Sequence, residues 1–256
     1  MTHDVQTLPA TLQLTDVSVS YRTRGADIHA LHEVSVSVGA GEFVSILGPS
    51  GCGKSTLLKV AAGLLQPTRG EIAFHDTRAA RADVGVAFQK PLLLPWKSVR
   101  ENVLLPLRAA GLPVERYQAR CNQLLDTMGL AAFAGNYPRE LSGGMQQRVA
   151  LARMLIADPS VLLMDEPFSA LDAMTREALS LELQRIWIAD RKSVLFITHS
   201  IAEAVFLSDR VLVMSARPGR IVESLDIDLP RPRTLDTMTA PAFVDACNHL
   251  RQRFIQ

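Results

Sequence analysis

Nine consecutive residues, Gly48-Pro49-Ser50-Gly51-Cys52-Gly53-Lys54-Ser55-Thr56, carry the pattern Gly-x-x-x-x-Gly-Lys-Ser. The glycines let backbone amides turn inward and approach anionic oxygens with no Cβ in the way. Lys54 adds a full positive charge, and Ser55 adds a hydroxyl of the kind that ligates magnesium. Residues of these types at this spacing suit the β and γ phosphates of a nucleoside triphosphate. A second constellation, Met164-Asp165-Glu166, ends the apolar run Val161–Met164. Beside a phosphate loop, Asp165 suits Mg²⁺ held through its hydration shell. Glu166 suits the polarisation of an attacking water, general-base work worth about 10²–10⁴-fold. A D-E pair that simply ends a strand is common, and only the loop upstream makes the catalytic reading the better one.

A third segment, Leu141-Ser142-Gly143-Gly144-Met145-Gln146-Gln147-Arg148, opens a helix-period stretch. Its hydroxyl, its backbone amides and the positive end of the helix favour an anion. Ser142 equally suits an ordinary N-cap, since capping and anion binding share one geometry.

These residues need elements to hold them. Leu12–Tyr21 and Leu31–Val38 alternate apolar and polar residues, as half-buried strands do. Glu42–Leu47 is a short apolar run that ends at Gly48, as expected of a buried strand. A helix follows over Ser55–Ala62, stopped by Gly63; Pro67–Gly70 reads as a turn and Glu71–Phe74 as another strand. From about Pro91 to Asp158 alternation vanishes, and helical periodicity appears over Tyr117–Met128 and Met145–Ala157. Strand character returns at Val161–Met164, Ser193–Thr198 and Arg210–Met214, with a helix carrying Leu179, Leu183 and Ile186 between the first two. Strands alternating with helices predict an α/β fold on a largely parallel sheet. Leu229–Arg233 reads as a linker, and Phe243, Cys247, Leu250 and Phe254 form one apolar stripe of a terminal helix.

The 256 residues suffice for one large domain or a core with a smaller subdomain. A formal net charge of +1 gives no electrostatic case for a nucleic-acid partner. Cys52, Cys121 and Cys247 lack metal-ligand spacing and are odd in number, which fits a reducing compartment. The start, M-T-H-D-V-Q-T, lacks the pattern of a secretory leader. No apolar run approaches the ~18 residues of a membrane span, so other chains would have to hold this one at a membrane.

The L-S-G-G-M-Q-Q-R segment, about twenty residues before Val161–Met164, resembles the signature motif of ATP-binding-cassette (ABC) ATPases. The resemblance runs from about Leu12 to Glu223. It implies a P-loop NTPase cassette: an N-terminal antiparallel β subdomain and a RecA-like core over 1–90 and 159–228, with a helical signature subdomain inserted over 91–158. Together these make an ATPase domain over 1–228, followed by linker and C-terminal helix over 229–256. By the same resemblance, Ser142, Gly143 and Gly144 bind the γ-phosphate of an ATP held by another subunit. Tyr21 would stack on adenine, Gln89 would contact Mg²⁺ and the attacking water, and His199 would sense the γ-phosphate. Taken alone, those three residues read as structural. Ser169–Asp172 matches the D-loop, which crosses to the partner; its plain reading is an N-cap at Asp172.

Met145 stands where the common signature has Gln, a variant that resembles importers of nitrate, sulfonate, taurine and related solutes. Phe88–Val103, Met214–Arg220 and Leu229–Arg233 resemble the same subgroup. The implied machine is a homodimer that sandwiches ATP head to tail at the cytoplasmic face of the cell membrane. It would pair with transmembrane permease subunits and, through them, a solute-binding protein. Leu92, Leu93, Leu94 and Trp96 are candidates for the permease contact and equally for helical-subdomain core. An exporter subunit is the alternative within transport. Repair-type and translation-type ATPases are disfavoured by the lack of a heptad run and by the single P-loop. The terminal helix suits regulation, dimer contact or packing alike.

Overall fold

The computed structural model describes residues 10–22, 27–75, 84–169 and 171–255. The segment Met1–Thr7 and Ala170 within Ser169–Asp172 lie outside them. Two sheets form the frame. In the smaller, β1 (Ala10–Arg22) lies between β2 (Asp27–Gly39) and β4 (Arg69–Phe74), antiparallel to both. The turn expected at Pro67–Gly70 gives way to β4 already at Arg69. Gly70 sits there at φ +85°, where a Cβ would lie 2.5 Å from the Asp16 carbonyl.

The larger sheet has six strands in the order β5 (Val84–Ala87), β6 (Val161–Asp165), β7 (Ser193–Ile197), β3 (Phe43–Leu47), β8 (Arg210–Met214), β9 (Ile221–Asp226). All neighbours are parallel except the β8–β9 hairpin, so the sheet is mixed at that edge. Every residue of β3, β6 and β7 is buried, as strands covered on both faces must be. Alternate residues feed two separate cores. Val44, Ile46, Leu195 and Ile197 pack with Leu12, Val19, Leu31 and the helix α1 (Lys54–Ala61), under the small sheet. Phe43, Leu47, Val194 and Phe196 pack on the opposite side. There they meet Phe168, Trp187 and the remaining helices.

Those helices are α2 (Val99–Val103), α3 (Leu105–Ala109), α4 (Gln118–Thr127), α5 (Gly143–Leu155), α6 (Ala173–Asp190), α7 (Ile201–Leu207) and α8 (Pro241–Ile255). α5 starts two residues before the expected Met145 because Ser142 caps it, accepting from the Met145 amide at 3.3 Å. On α8, Phe243, Cys247 and Leu250 are buried while Phe254 is exposed. Glu223 of β9 holds this helix through His249 Nε2 (2.5 Å) and Arg253 Nε (2.6 Å).

Leu229–Arg233 departs from the expected linker, because its arginines are fastened to the body. Arg233 is 1% exposed, and its Nη1 donates to the carbonyls of Val205 (2.8 Å), Phe206 (3.0 Å) and Ser208 (2.8 Å). Arg231 donates to Leu207 O and Asp209 Oδ1 and stacks 4.2 Å over the Trp187 ring. Together they cap the carboxyl end of α7, whose last carbonyls have no partner within the helix.

Candidate active site

Parallel strands end on one edge of a sheet, and the candidate residues lie just past those ends. The phosphate loop follows β3 and opens α1. Gly51 and Gly53 sit at φ +75° and +109°, conformations that suit glycine, and a Cβ on Gly53 would fall 2.8 Å from the Ala30 carbonyl oxygen. Pro49, Ser50, Gly51 and Ser55 are exposed, whereas Gly48, Cys52 and Lys54 are buried. The Lys54 ammonium donates to the carbonyls of Gly48 (2.7 Å) and Pro49 (3.0 Å), which keeps it inside its own loop.

Ser55 Oγ donates to Asp165 Oδ1 at 3.1 Å, across 110 residues of chain. Asp165 ends β6 and is 8% exposed. Burial pushes its carboxyl above the usual carboxylate range, only partly offset by the Ser55 hydroxyl, and the neighbouring Glu166 charge pushes it further. A hydroxyl beside a buried, under-compensated carboxylate is a hard oxygen pair of the kind Mg²⁺ prefers. These residues therefore fit the ion.

Glu166 turns immediately after β6. It adopts a left-handed φ of +45°, and its amide still donates to Ile197 O of β7 at 2.8 Å. Its carboxylate is met from two neighbouring strand ends. Gln89, two residues beyond β5, donates from Nε2 to Glu166 Oε2 at 3.4 Å. His199, two residues beyond β7, lies with Nδ1 3.0 Å from the same oxygen. With Glu166 ionised, Nδ1 carries the proton and donates. Tyr21, 40% exposed, brings its hydroxyl to 3.4 Å from Thr56 Oγ1. The structure thus gathers Tyr21, the loop, Gln89, Asp165, Glu166 and His199 at one edge.

It does not bring Ser142, Gly143 and Gly144 into that group. A Cβ on Gly144 would touch Thr175 Cγ2 (3.1 Å) and Leu171 Cδ2 (3.7 Å), and one on Gly143 would meet nothing within 4 Å. Ser169 joins Glu166 through its amide, donating to Glu166 O at 3.1 Å, and Asp172 caps α6 through Thr175 N at 3.0 Å. At the far end of α5, Arg153 donates to Pro91 O (2.5 Å) and Leu92 O (2.9 Å), gripping the segment that follows Gln89. Beyond that grip Trp96 is 68% exposed and Leu92 58%, while Leu93 packs on the core.

Sequence reading missed Glu203 and Arg217. Glu203 is buried, accepts from Thr198 Oγ1 at 2.6 Å and lies 3.4 Å from Arg176 Nε, so it braces the turn that carries His199. The S-I-A-E run from Ser200 carries the capping-box pattern that marks it. Arg217 donates to the Gly51 carbonyl, and only its place in M-S-A-R-P-G-R singles it out.

A family model described as ABC transporter matches residues 31–169. The chain belongs to the ABC transporter family, as an ATP-binding and ATP-hydrolysing component. It is similar to the taurine import ATP-binding protein TauB of Rhizobium johnstonii, 52% identical over 224 residues, 86% of this chain and 85% of that protein. It is also similar to TauB of Burkholderia pseudomallei, 49% identical over 217 residues, 84% of each chain. An uncharacterised ABC transporter ATP-binding protein of Methanocaldococcus jannaschii is 46% identical over 224 residues, 87% of this chain and 84% of that one. Among solved structures, a dimeric post-hydrolysis state of an ATP-binding cassette with ADP and Pi has a TM-score of 0.75 at 34% identity. That similarity covers 86% of this chain and 100% of that one.

Proposed function

We propose that this chain energises an ABC importer for a small anion or organosulfur or nitrogen solute of the nitrate, sulfonate or taurine type. The observation that carries the ATPase reading is the convergence of Gln89 and His199 on Glu166, beside the Ser55–Asp165 pair. The solute class is supported by the TauB relatives and by Met145, Phe88–Val103 and Met214–Arg220.

The residues divide the reaction between them. Backbone amides of Gly48–Thr56 and the α1 N-terminus bind the phosphates, and Lys54 exchanges its carbonyl partners for phosphate oxygens. Ser55 and Asp165, with Gln89, would hold Mg²⁺, which when bound neutralises charge on the phosphates. Glu166 accepts a proton from the attacking water. His199 fixes the Glu166 carboxylate and reaches toward the γ-phosphate, and Tyr21 offers its ring to the adenine.

Ser142, Gly143 and Gly144 serve the ATP of a second copy, so two chains pair head to tail around two nucleotides. The dimeric state of the solved neighbour supports this pairing. Residues 91–158 act as the inserted helical subdomain, and Leu92 and Trp96 as the surface for permease subunits at the cytoplasmic face of the membrane. A solute-binding protein completes the system through the permease.

Glu166→Gln tests the reading. ATP binding persists, hydrolysis falls about 10²–10⁴-fold, and an ATP-dependent dimer accumulates. Wild-type turnover in this variant removes Glu166 from its role.

A further inference from the structure

The turn between β8 and β9, M-S-A-R-P-G-R over Met214–Arg220, has no part in the chemistry above. Its place is against the outer side of the phosphate loop. Arg217 donates from Nε (3.2 Å) and Nη2 (3.1 Å) to the carbonyl oxygen of Gly51. Two residues on, Gly219 is buried so closely under the loop that a Cβ there would overlap the Cys52 carbonyl oxygen. Gly219 is also stitched to β2. Its amide donates to Ala30 O, and its carbonyl accepts from His32 N, both at 3.0 Å. Since Ala30 also underlies Gly53, residues Gly51–Gly53 are held between β2 and this turn.

The contact at Gly51 fixes a direction. Glycine carries no Cβ to forbid either orientation of the Gly51–Cys52 peptide. A trans peptide is planar, with its C=O and N–H opposed, so the way the oxygen points decides the way the amide points. Here the Gly51 oxygen points out to Arg217. The Cys52 amide points into the loop, toward Pro49 O at 3.4 Å. Turned over, the same peptide would offer a carbonyl dipole where the loop needs an amide.

We propose that Arg217 is a positioning residue of the ATP site, its guanidinium holding the Gly51–Cys52 peptide with the amide facing the phosphates. The inference rests on the reading of Gly48–Thr56 as the ATP loop. Arg217 does not touch the reacting atoms. It sets the loop for binding, and its fixed charge adds to the field of Lys54. Its effect therefore falls on ATP affinity more than on turnover.

The test is ATP titration and steady-state hydrolysis on the full chain, with Arg217→Ala, Arg217→Lys and Lys54→Ala beside the wild type. Loss of two charge-assisted hydrogen bonds at an exposed site predicts a rise in Kd and KM for ATP of about five- to tenfold in Arg217→Ala. In that variant kcat falls less than twofold and the melting temperature is unchanged. Arg217→Lys keeps the charge without the fork and recovers part of the affinity. A wild-type KM in Arg217→Ala overturns the proposal, as does a parallel loss of kcat and melting temperature, which would make Arg217 a fold residue. Lys54→Ala separates the two failures. If it binds ATP like the wild type, the reading of the loop falls and the inference with it; if it loses ATP while Arg217→Ala does not, only the inference falls.

Discussion

Replacing Arg233 by methionine keeps most of the side-chain volume and removes the cation that closes α7. The carbonyls of Val205, Phe206 and Ser208 lose the donor that caps them, and those of Ile227 and Leu229 lose longer bonds from the same guanidinium. Each unsatisfied buried carbonyl costs about 1–3 kcal/mol, offset in part because a buried cation no longer has to be desolvated. The net expectation is about 3–5 kcal/mol. Burial lowers the Arg233 pKa to about 10, so the group is cationic at neutral pH and the charged form is the one being removed. For a domain of this size, each kcal/mol moves the midpoint by about 2–4 °C, which predicts a fall of roughly 10 °C. Thermal unfolding followed by circular dichroism, wild type against Arg233→Met at pH 7, reads it directly. Arg233→Lys should recover only a part, since one ammonium cannot reproduce the fork. A midpoint within about 2 °C of the wild type would refute the capping role and restore the plain linker.

Gly143→Ala leaves the melting temperature of the isolated chain intact, because nothing lies within 4 Å of the added methyl. It should nevertheless weaken the ATP-dependent dimer in a Glu166→Gln background; an equally stable dimer by size exclusion would contradict the facing of Gly143 toward the partner. Trp96→Ala, at a 68% exposed side chain, should reduce coupled transport more than basal ATPase, and equal losses would indicate a folding defect. The Glu223 carboxyl is held below its usual range by the His249 hydrogen bond and the Arg253 charge, against opposition from burial. With the folded value below the unfolded one, the tether of α8 is at full strength above the ordinary carboxylate range and lost as pH falls through the depressed value. Amide exchange in α8 should thus rise relative to α6 in acid, and Glu223→Gln should reproduce this at pH 7; unchanged exchange in that variant would contradict the tether.

Local patterns announce the parts that are local. The phosphate loop, the apolar runs of β3, β6 and β7, and the Ser142 cap are each written within a few neighbouring residues. β5 escaped because it is four residues long and contains Gly85, which weakens strand character. Packing demands that glycine: a Cβ there would meet Pro159 Cγ at 2.8 Å and Met154 Cγ at 2.9 Å. Arg233 and Arg217 escaped for a different reason. Their partners are backbone carbonyls, which every residue has, at separations of up to 28 and 166 residues. No side-chain pattern can advertise such a bond. The pairing of Glu166 with Gln89 and His199 is not legible in the sequence: Glu166 reads as a base from its place beside the phosphate loop, Gln89 and His199 only by family resemblance, and the order of strands that unites them is a property of the whole sheet.

α5 carries the Ser142 cap at one end and the Arg153 grip on Pro91 and Leu92 at the other. Its thirteen residues make a rod of about 20 Å. A stiff rod capped by Ser142 at one end and tied to Pro91 and Leu92 at the other links the two: a displacement of the cap along the helix axis would carry through to the exposed apolar loop. The two surfaces therefore cannot be tuned independently. A substitution that loosens Arg153 would leave each surface intact and break the timing between them, giving a chain that still turns over ATP but does so out of step.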